Sequence, residues 1–449
     1  MNKKILCIII IGIFLLTNLA SLSVGGIKLK TKENLNLEKN NIGTWIKTYD
    51  SGNTNYGYSV LETSDNGFII CGSNIYFDGY SVCDLWLFKV DRNGNLKWEN
   101  TIDKGGHGTD MQFTRDGGLI ITGLKYDYSK EDTDIFLLKT DINGNTQWIK
   151  TYGGDCFDYA YKVRQTNDNG FVFVGQIDHC EINTGNLLII KTDEFGAVQW
   201  ERQYGKDYEY DSGYDIQQTK DNGYIITGRT NSLNNNSGDL WLIKTDSLGF
   251  EEWNVSFGCQ GGTDRGKQVI QTSDGGFIVA GEQNADQVWL LKTDKNGNLL
   301  WDKRYRNQDP KPGEMVWIQG YIESLQKTDD GNYLIISSVY QGKIIKVDEN
   351  GNLIWLKKCN FHERFVGLNL YEEHMFSGGQ QTSDGGFIII GTSKIYNSIG
   401  TLTECNVLLI KTNENGEVEA KNRMINSPFR IILFKFINKF LFLQRFLRI

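Results

Sequence analysis

The sequence predicts an all-β fold, a seven-bladed β-propeller of four-stranded antiparallel blades that is closed by the N-terminal strand. One observation is a motif that occurs seven times, in which a turn containing Asp and Gly is followed by an apolar strand. The turns begin at Ser64, Arg115, Asn167, Lys220, Ser273, Asp329 and Ser383. Another is a turn motif that ends in Trp, at Trp98, Trp148, Trp200, Trp253, Trp301 and Trp355. Regular self-similarity of this kind is typical of repeat proteins, and four antiparallel strands per repeat are typical of propellers.

The third repeat shows the four strands, here named A to D. Strand A covers residues 159–166, and the turn 167–170 leads into the apolar strand B. Strand C covers residues 187–193, and the turn 194–196 leads into strand D. Asn and Gly adopt the positive φ that tight hairpin turns need. We therefore expect tight A–B and C–D turns on one face, the turn face, and variable B–C and D–A loops on the other, the loop face.

The chain ends predict closure of the ring. The seventh repeat reaches Ala420 without the Trp that ends the other six repeats. The segment Gly43–Asp50 ("GTWIKTYD") has no repeat of its own and matches strand D of the second repeat. If this segment completes blade seven, no open sheet edge remains at the seam.

Sequence composition divides the 449 residues into four parts. Residues 1–26 have two lysines, an apolar run and then small residues, which is typical of a signal peptide; the alternative is an uncleaved membrane anchor. Residues 27–42 form a polar linker, residues 43–420 the propeller, and residues 421–449 a basic apolar tail. We expect a secreted or cell-surface protein.

The tail is apolar from Ser427 onward, with basic residues at Arg430, Lys435, Lys439, Arg445 and Arg448. This composition predicts a helix that lies at a membrane surface. The alternative is a helix that docks on the propeller or on a partner.

Net charge and cysteine content exclude some function classes. The formal charge of −8 and the isoelectric point near 5.3 argue against nucleic acid as a partner. No Cys-x-x-Cys pair or catalytic His motif occurs, so the sequence favours a protein that is not an enzyme. Cys156 and Cys180 lie in loops of one repeat on the loop face, and we expect them to form a disulfide.

The segment Gln271–Tyr305 ("QTSDGGFIVAG…WLLKTDKNGNLLWDKRY") resembles the repeat of uncharacterised secreted β-propeller proteins of archaea and bacteria. Its strand D is also similar to the tryptophan-docking motif of quinoprotein propellers, in which Asp, Gly and Trp lock adjacent blades together. One residue fewer separates Asp from Gly here. The resemblance implies a shared architecture and does not fix a function.

Two repeated features could indicate a binding site, either for calcium or for a glycan. The turns that begin at Asp91, Asp141, Asp294 and Asp348 carry oxygen ligands, but they lack the distal Glu of a calcium loop. Hairpin chemistry explains them, so we expect no cofactor and no metal, with calcium as the alternative. The recurrent Trp residues keep one register in each blade, which favours packing between blades over glycan stacking.

Candidate binding residues lie where the repeat varies. Two long D–A loops, residues 306–320 and 360–379, enter adjacent blades on the loop face, where propellers and other rigid scaffolds commonly bind ligands. Their mixed acidic, His and aromatic side chains suit a cation or a glycan: Asp309, Glu314, Trp317, His362, Glu363, Arg364, Glu372, Glu373 and His374. The alternative is a set of solvated insertions.

A second candidate set lies in the innermost strands, which line the central channel of a propeller. The polar residues there are Asp110, Lys162, Arg164, Asp215 and Gln217. Hydrated polar rings are the first expectation for these positions, and ligand binding is the alternative.

Together these patterns predict a binding or interaction module at the cell envelope that uses the loop face. The partner class is an unknown extracellular glycan or protein, with membrane contact through the tail. The alternatives are a propeller enzyme, either a quinoprotein-like oxidoreductase or a glycan-active lyase, and a purely structural surface protein.

Overall fold

The computed structural model describes residues 43–77, 81–104, 106–127, 132–179, 184–206, 209–231, 238–259, 262–284, 287–305, 318–338, 342–359, 364–365, 370–397 and 399–418. The chain divides into two units, Met1–Asn41 and Ile42–Ile449, and all described residues belong to the second. The predicted signal peptide, the linker and the tail beyond Val418 lie outside the described residues.

The described residues form strands and no helix, as the repeat predicts. They therefore contain no helix that could cross a membrane. The strands of the first half are β1 (Trp45–Tyr49), β2 (Thr54–Glu62), β3 (Phe68–Phe77), β4 (Ser81–Val90), β5 (Leu96–Lys104), β6 (Gly106–Phe113), β7 (Leu119–Asp127), β8 (Asp132–Thr140), β9 (Thr146–Tyr152), β10 (Tyr159–Gln165), β11 (Phe171–His179), β12 (Thr184–Thr192) and β13 (Val198–Tyr204).

The second half continues the same order. Its strands are β14 (Ser212–Gln218), β15 (Tyr224–Thr230), β16 (Asp239–Thr245), β17 (Glu251–Phe257), β18 (Arg265–Gln271), β19 (Phe277–Gln283), β20 (Gln287–Thr293), β21 (Leu299–Arg304), β22 (Tyr321–Lys327), β23 (Tyr333–Ser338), β24 (Gly342–Val347), β25 (Leu353–Cys359), β26 (Arg364–Phe365), β27 (Leu370–Gln381), β28 (Phe387–Asn397) and β29 (Leu402–Thr412).

Seven antiparallel sheets form the seven blades of a β-propeller, which confirms the predicted fold. Blades 1 to 6 are the consecutive strand quartets from β2–β5 to β22–β25. Blade 7 has the order β1-β29-β28-β27-β26, so β1 from the N-terminus supplies its strand D. The register runs from Trp45 opposite Lys411 to Tyr49 opposite Val407. The predicted closure by the N-terminal strand is therefore confirmed.

Each hydrophobic core lies between two blades. The core between blades 3 and 4, for example, combines Val172 and Ile189 of one sheet with Ile226 and Trp241 of the next. Both faces of each central strand are thus buried, which explains why strands B and C are mostly apolar instead of alternating. The seven such clusters fill the seven gaps between blades.

A Trp in each strand D packs on the C–D turn of the next blade. At the seam, Gly94 has φ +71°, and a Cβ there would lie 3.1 Å from Cη2 of Trp45. The Trp45 indole donates to the carbonyl oxygen of Arg92 at 3.0 Å, and the Tyr49 hydroxyl donates to that of Gly94 at 2.8 Å. The same contact occurs at Trp98–Gly144, Trp148–Gly196, Trp200–Gly249, Trp253–Gly297, Trp301–Gly351 and Trp355–Gly416. The packing role predicted for the Trp residues is confirmed.

An ion pair inside each blade fixes the turn face. In each blade, the Lys of strand C that pairs with the Trp of strand D also contacts the Asp of the A–B turn. In blade 2, for example, the Lys139 ammonium lies 2.9 Å from the Asp116 carboxylate. A Thr two residues before that Asp donates its hydroxyl to the same carboxylate. We call this the turn clamp, and its ion pair occurs in all seven blades: Lys89–Asp65, Lys139–Asp116, Lys191–Asp168, Lys244–Asp221, Lys292–Asp274, Lys346–Asp330 and Lys411–Asp384.

The turn clamps keep their carboxylates ionised. The Lys89 ammonium and then the Thr63 hydroxyl lower the pKa of Asp65 to about 2. Partial burial would raise the pKa of Asp116, but Thr114 and Lys139 outweigh it and lower that pKa to about 2. Because the unfolded chain holds an Asp near 3.9, the clamps stabilise the fold above about pH 4.

The seam Trp is expected to be as important as an internal one. Replacing Trp45 by Ala removes an indole that packs between two blades, as replacing Trp200 by Ala does. Each replacement should destabilise the protein by about 3–5 kcal/mol. Urea unfolding of the two variants measures both values. A Trp45→Ala variant as stable as the wild type would show that β1 does not close the ring.

Acid should weaken the fold through the turn clamps. The pKa values of Asp65, Asp116 and Asp274 are lowered to about 2, so the folded state binds fewer protons than the unfolded state and loses stability as the pH falls from about 4 to 2. Urea midpoints at pH 5, 3 and 2 follow this loss. The Asp65→Asn/Asp116→Asn/Asp274→Asn variant should start lower and fall less steeply; an equal fall would contradict the assignment.

Candidate binding site in the channel and on the loop face

Most residues of the two long loops that the sequence predicts lie outside the described residues. Asp309, Glu314, Trp317, His362 and Glu363 lie outside the described residues. Arg364 belongs to β26, a two-residue strand that pairs with the start of β27. The prediction that these loops bind a ligand stays a prediction.

The remaining three predicted residues lie in a strand, not in a loop. Glu372, Glu373 and His374 belong to β27, which pairs with an extended β28 from Leu370 opposite Asn397 onward. The loop assignment for residues 370–379 is therefore wrong. The lengthened β28–β29 hairpin provides backbone partners for residues whose types do not signal a strand.

Within this extension, Glu372 holds two neighbours. Nε2 of His374 lies 2.9 Å from Oε1 of Glu372, and the Ser393 hydroxyl donates to the same carboxylate. Glu373 points the opposite way along the strand and is exposed. Since the hydroxyl and the imidazole both contact the carboxylate, this trio is not arranged as a nucleophile activated by a base. It joins β27 to β28.

The channel residues are brought together by the innermost strands. β2, β6, β10, β14, β18, β22 and β27 each contact the next around the ring. Arg164 of blade 3 reaches Asp110 of blade 2 at 2.9 Å and Asp215 of blade 4 at 3.0 Å. Lys162 adds a contact to Asp110 at 3.2 Å. Gln217 lies on β14, half-buried, opposite Ile225.

Backbone groups complete this network. The N–H of Val163 donates to Asp110 at 3.1 Å, and the N–H of Val269 donates to Asp215 at 3.0 Å. Burial raises the pKa of Asp215, although Arg164 and Lys162 oppose it. The charges that the sequence suggested for the channel thus bind one another across blades 2 to 4. Their first role is to join blades.

A different ring lies nearer the loop face. Every innermost strand contains one extra residue at the same level, because two residues of strand A oppose one of strand B. Such a bulge turns the extra side chain away from the regular pleat. We call this set the bulge ring: Tyr58, Thr109, Tyr161, Tyr214, Lys267, Glu323 and Ser377.

The bulge ring was not predicted from the sequence, although the spacing of the buried residues in strand A indicates it. In β10 the fully buried positions are Ala160 and Val163, three residues apart instead of two. In β18 and β22 the same spacing separates Gly266 from Val269 and Ile322 from Leu325. A spacing of three within a strand marks the slip of one residue.

Aromatic and charged side chains of the bulge ring contact one another. The rings of Tyr161 and Tyr214 lie 5.1 Å apart, edge to face, and Nζ of Lys267 lies 4.5 Å from the Tyr214 ring centroid. On the other side, the Tyr58 and His107 rings are 4.3 Å apart. Burial raises the pKa of Tyr58 and Tyr161, so both phenols remain hydrogen-bond donors.

Two carboxylates lie beside Lys267. Burial raises the pKa of Glu282 to about 7 and raises that of Glu323, while Lys267 lowers both. Glu282 is fully buried and accepts a hydrogen bond from the N–H of Ile322 at 3.0 Å. Glu323 is partly exposed and accepts one from the Ser338 hydroxyl. Glu323 is thus the more exposed residue of the pair.

Cys83, a described cysteine at this face, does not have the character of a nucleophile. Cys156 is disulfide-bonded, and its predicted partner Cys180 lies outside the described residues. Cys83 Sγ lies 3.9 Å from Nδ1 of His107. Burial raises the pKa of Cys83 to about 11 and lowers that of His107 to about 4. Near pH 7 both are neutral, unlike the thiolate of a cysteine nucleophile.

The acidic turns use their oxygens locally. Oδ1 of Asp141 accepts the backbone N–H groups of Asn143 and Asn145 at 2.9 and 2.8 Å, and Oδ2 accepts the Asn145 amide at 2.7 Å. These bonds explain the turn motif without calcium. In the part of the chain that the structure describes, no three His, Cys, Asp or Glu residues gather as metal ligands would.

Comparisons with known proteins find similarity to solved structures at low sequence identity. No protein-family model and no curated protein matches the chain. It is similar to a protein of unknown function from Dyadobacter fermentans, with 8% identity over 82% of this chain and 98% of that one, at a TM-score of 0.46. It is similar to Sqt1 from Chaetomium thermophilum, with 10% identity over 83% and 98% and a TM-score of 0.46. The β-propeller domain of the Trilobed protease from Pyrococcus furiosus matches at 8% identity over 83% and 98%, with a TM-score of 0.41.

The channel network should be essential to stability. In Arg164→Met, Asp110 and Asp215 lose their shared cation, which should destabilise the protein by about 3–5 kcal/mol at pH 7. Protonation of Asp215, whose pKa is already raised, should restore part of the loss at pH 5. Urea unfolding at both pH values measures this. Adding Asp215→Asn should recover stability, and an equal loss in the single and double variants would contradict the network.

Proposed function

We propose that this protein is a secreted or cell-surface binding module that takes a glycan at the mouth of the channel on its loop face. One observation carries the proposal: the bulge ring sets Tyr161, Tyr214 and Lys267 in contact at one level of the channel mouth. Seven strands meet there, so a ligand could touch several blades at once. Secretion rests on the sequence of residues 1–26.

The chemistry of the ring suits a sugar. A tyrosine ring presents an apolar face and a polar hydroxyl, and a pyranose presents an apolar C–H face with hydroxyls around its edge. Lys267 and the carboxylate of Glu323 supply a charged donor and an acceptor beside those rings. A concave site with an aromatic lining and few polar groups is typical of ligand pockets.

The enzyme alternatives receive less support from the described residues. Glu282 has the near-neutral pKa of a general base, yet it is fully buried and already bonded to the backbone of Ile322. The Cys83–His107 pair is neutral near pH 7, and the Ser393 hydroxyl donates to the Glu372 carboxylate. These groups stabilise strands. They do not favour an oxidoreductase or a lyase.

Binding can be tested with defined oligosaccharides. Titration calorimetry with cellohexaose, chitohexaose and hexagalacturonic acid should detect binding of at least one. Tyr214→Ala should weaken it at least tenfold because the stacking face is lost, and Tyr214→Phe should keep most of it. Asn296→Asp on the turn face is the matched control and should bind as the wild type does. Binding that survives Tyr214→Ala, or no binding to any of the three, would overturn the proposal.

A further inference from the structure

Two adjacent turns break the repeat on the turn face. In blades 1, 2, 5 and 6 the C–D turn reads Asp-x-Asn-Gly-Asn, and the last Asn donates its side-chain amide to the Asp. In blade 3 these Asn positions hold Phe195 and Ala197, and in blade 4 they hold Leu248 and Phe250. The backbone bonds to the Asp remain, so the turn keeps its shape without the Asn side chains.

The substituted residues are large, apolar and exposed. Relative exposure is 66% for Phe195, 55% for Leu248 and 56% for Phe250, and neighbouring Val198 is 51% exposed. Arg202 lies over the Phe250 ring at 4.2 Å and so joins the two blades. We call Phe195, Val198, Leu248 and Phe250 the apolar turn patch. The fold does not need these residues, since other blades form the same turn with Asn. A cluster of exposed apolar side chains on adjacent elements is typical of an interaction surface.

Acidic side chains surround the patch. Glu194, Glu201, Glu251 and Glu252 are exposed there, and Asp193 and Asp246 are half-exposed. The nearby cations are Arg202, Lys244, which pairs with Glu252 at 2.9 Å, and Lys150, whose Cγ would lie 2.9 Å from a Cβ at Gly196. The excess of carboxylates disfavours an anionic lipid surface and favours a partner that is both apolar and basic.

This chain carries such a partner. Residues 427–449 are apolar and contain Arg430, Lys435, Lys439, Arg445 and Arg448. The described chain ends at Val418, directly after the C–D turn of blade 7 with Gly416, on the same face as the patch. We propose that residues 430–449 bind the apolar turn patch of the same molecule, with residues 419–429 as the connection.

The connection is long enough. Blades 3 and 4 lie opposite blade 7 in a ring of seven. Strand C lies about 10 Å outward from strand A, so C–D turns on opposite blades are roughly 30–35 Å apart across a narrow channel. Residues 419–429 can span up to about 38 Å when extended. The tail would then cross the turn face, far from the proposed glycan site, so the two proposals are independent.

Hydrogen–deuterium exchange of the full chain tests the contact. Exchange in residues 430–449 should be slowed at least tenfold relative to an unstructured peptide. The Phe195→Asn/Leu248→Asn/Phe250→Asn variant should lose this protection, and it should fold, because Asn occupies these positions in four other blades. The matched control is Leu299→Thr/Leu300→Gln, which gives exposed residues of blade 5 their blade 2 counterparts and should keep the protection.

A charge reversal in the tail provides a second test that leaves the propeller unchanged. Lys435→Glu/Lys439→Glu should also lose the protection if the acidic rim attracts the tail. Unprotected exchange in the wild type, or protection that survives in the triple variant, would overturn the proposal. So would loss of protection on hundredfold dilution, which indicates a second copy, or protection that requires phosphatidylserine vesicles, which indicates a membrane.

Discussion

The contact between the strand D Trp of one blade and the turn glycine of the next is the interaction on which the ring depends. Each blade is a small sheet with two apolar faces, and neither face is stable in water until a neighbouring blade covers it. The Trp fixes the position of that neighbour, because its ring fills the space above a glycine that has no Cβ. The contact between Trp45 and Gly94 is of the same kind and spans a similar length of chain as the internal contacts, such as that between Trp98 and Gly144. What differs at the seam is that Trp45 lies on β1, which pairs with the distant β29, with Trp45 opposite Lys411.

The turn clamp explains why the two repeated motifs occur together. The Asp-Gly turn between strands A and B and the Lys of strand C are separated along the chain, yet the Lys ammonium reaches the turn Asp in every blade. A buried ammonium is costly unless it is paired, so each Lys requires its Asp, and the Thr two residues earlier orients that carboxylate. The turn Asp thus has a tertiary role as well as a local one. This combination makes the turn face nearly identical from blade to blade, while the loop face is free to vary.

The architecture could be predicted from the sequence because the repeat period, the length of the strands and the absence of the Trp from the seventh repeat can all be read from the chain alone. It predicted the seven blades, the closure by residues 43–50 and the packing role of the Trp residues. It did not predict the partner of each clamp Lys, since Asp in a turn already has a local explanation. It placed Glu372 and His374 in a loop because pairing with a lengthened β28 leaves no mark on their own segment. Arg164 appeared as a polar channel residue, and only the structure shows that Asp110 and Asp215 on both neighbouring blades bind its guanidinium.

The bulge ring separates what the fold requires from what it permits. All seven inner strands adopt the same bulge, yet the extra residue is Tyr in three blades and Thr, Lys, Glu or Ser in the others. A backbone that accepts five residue types at equivalent positions does not depend on any of them. The clamp Lys, in contrast, is the same in all seven blades because its burial and its ion pair are needed each time. The side chains of the bulge ring are therefore free to differ from blade to blade, and the ligand recognition proposed above would use these positions together.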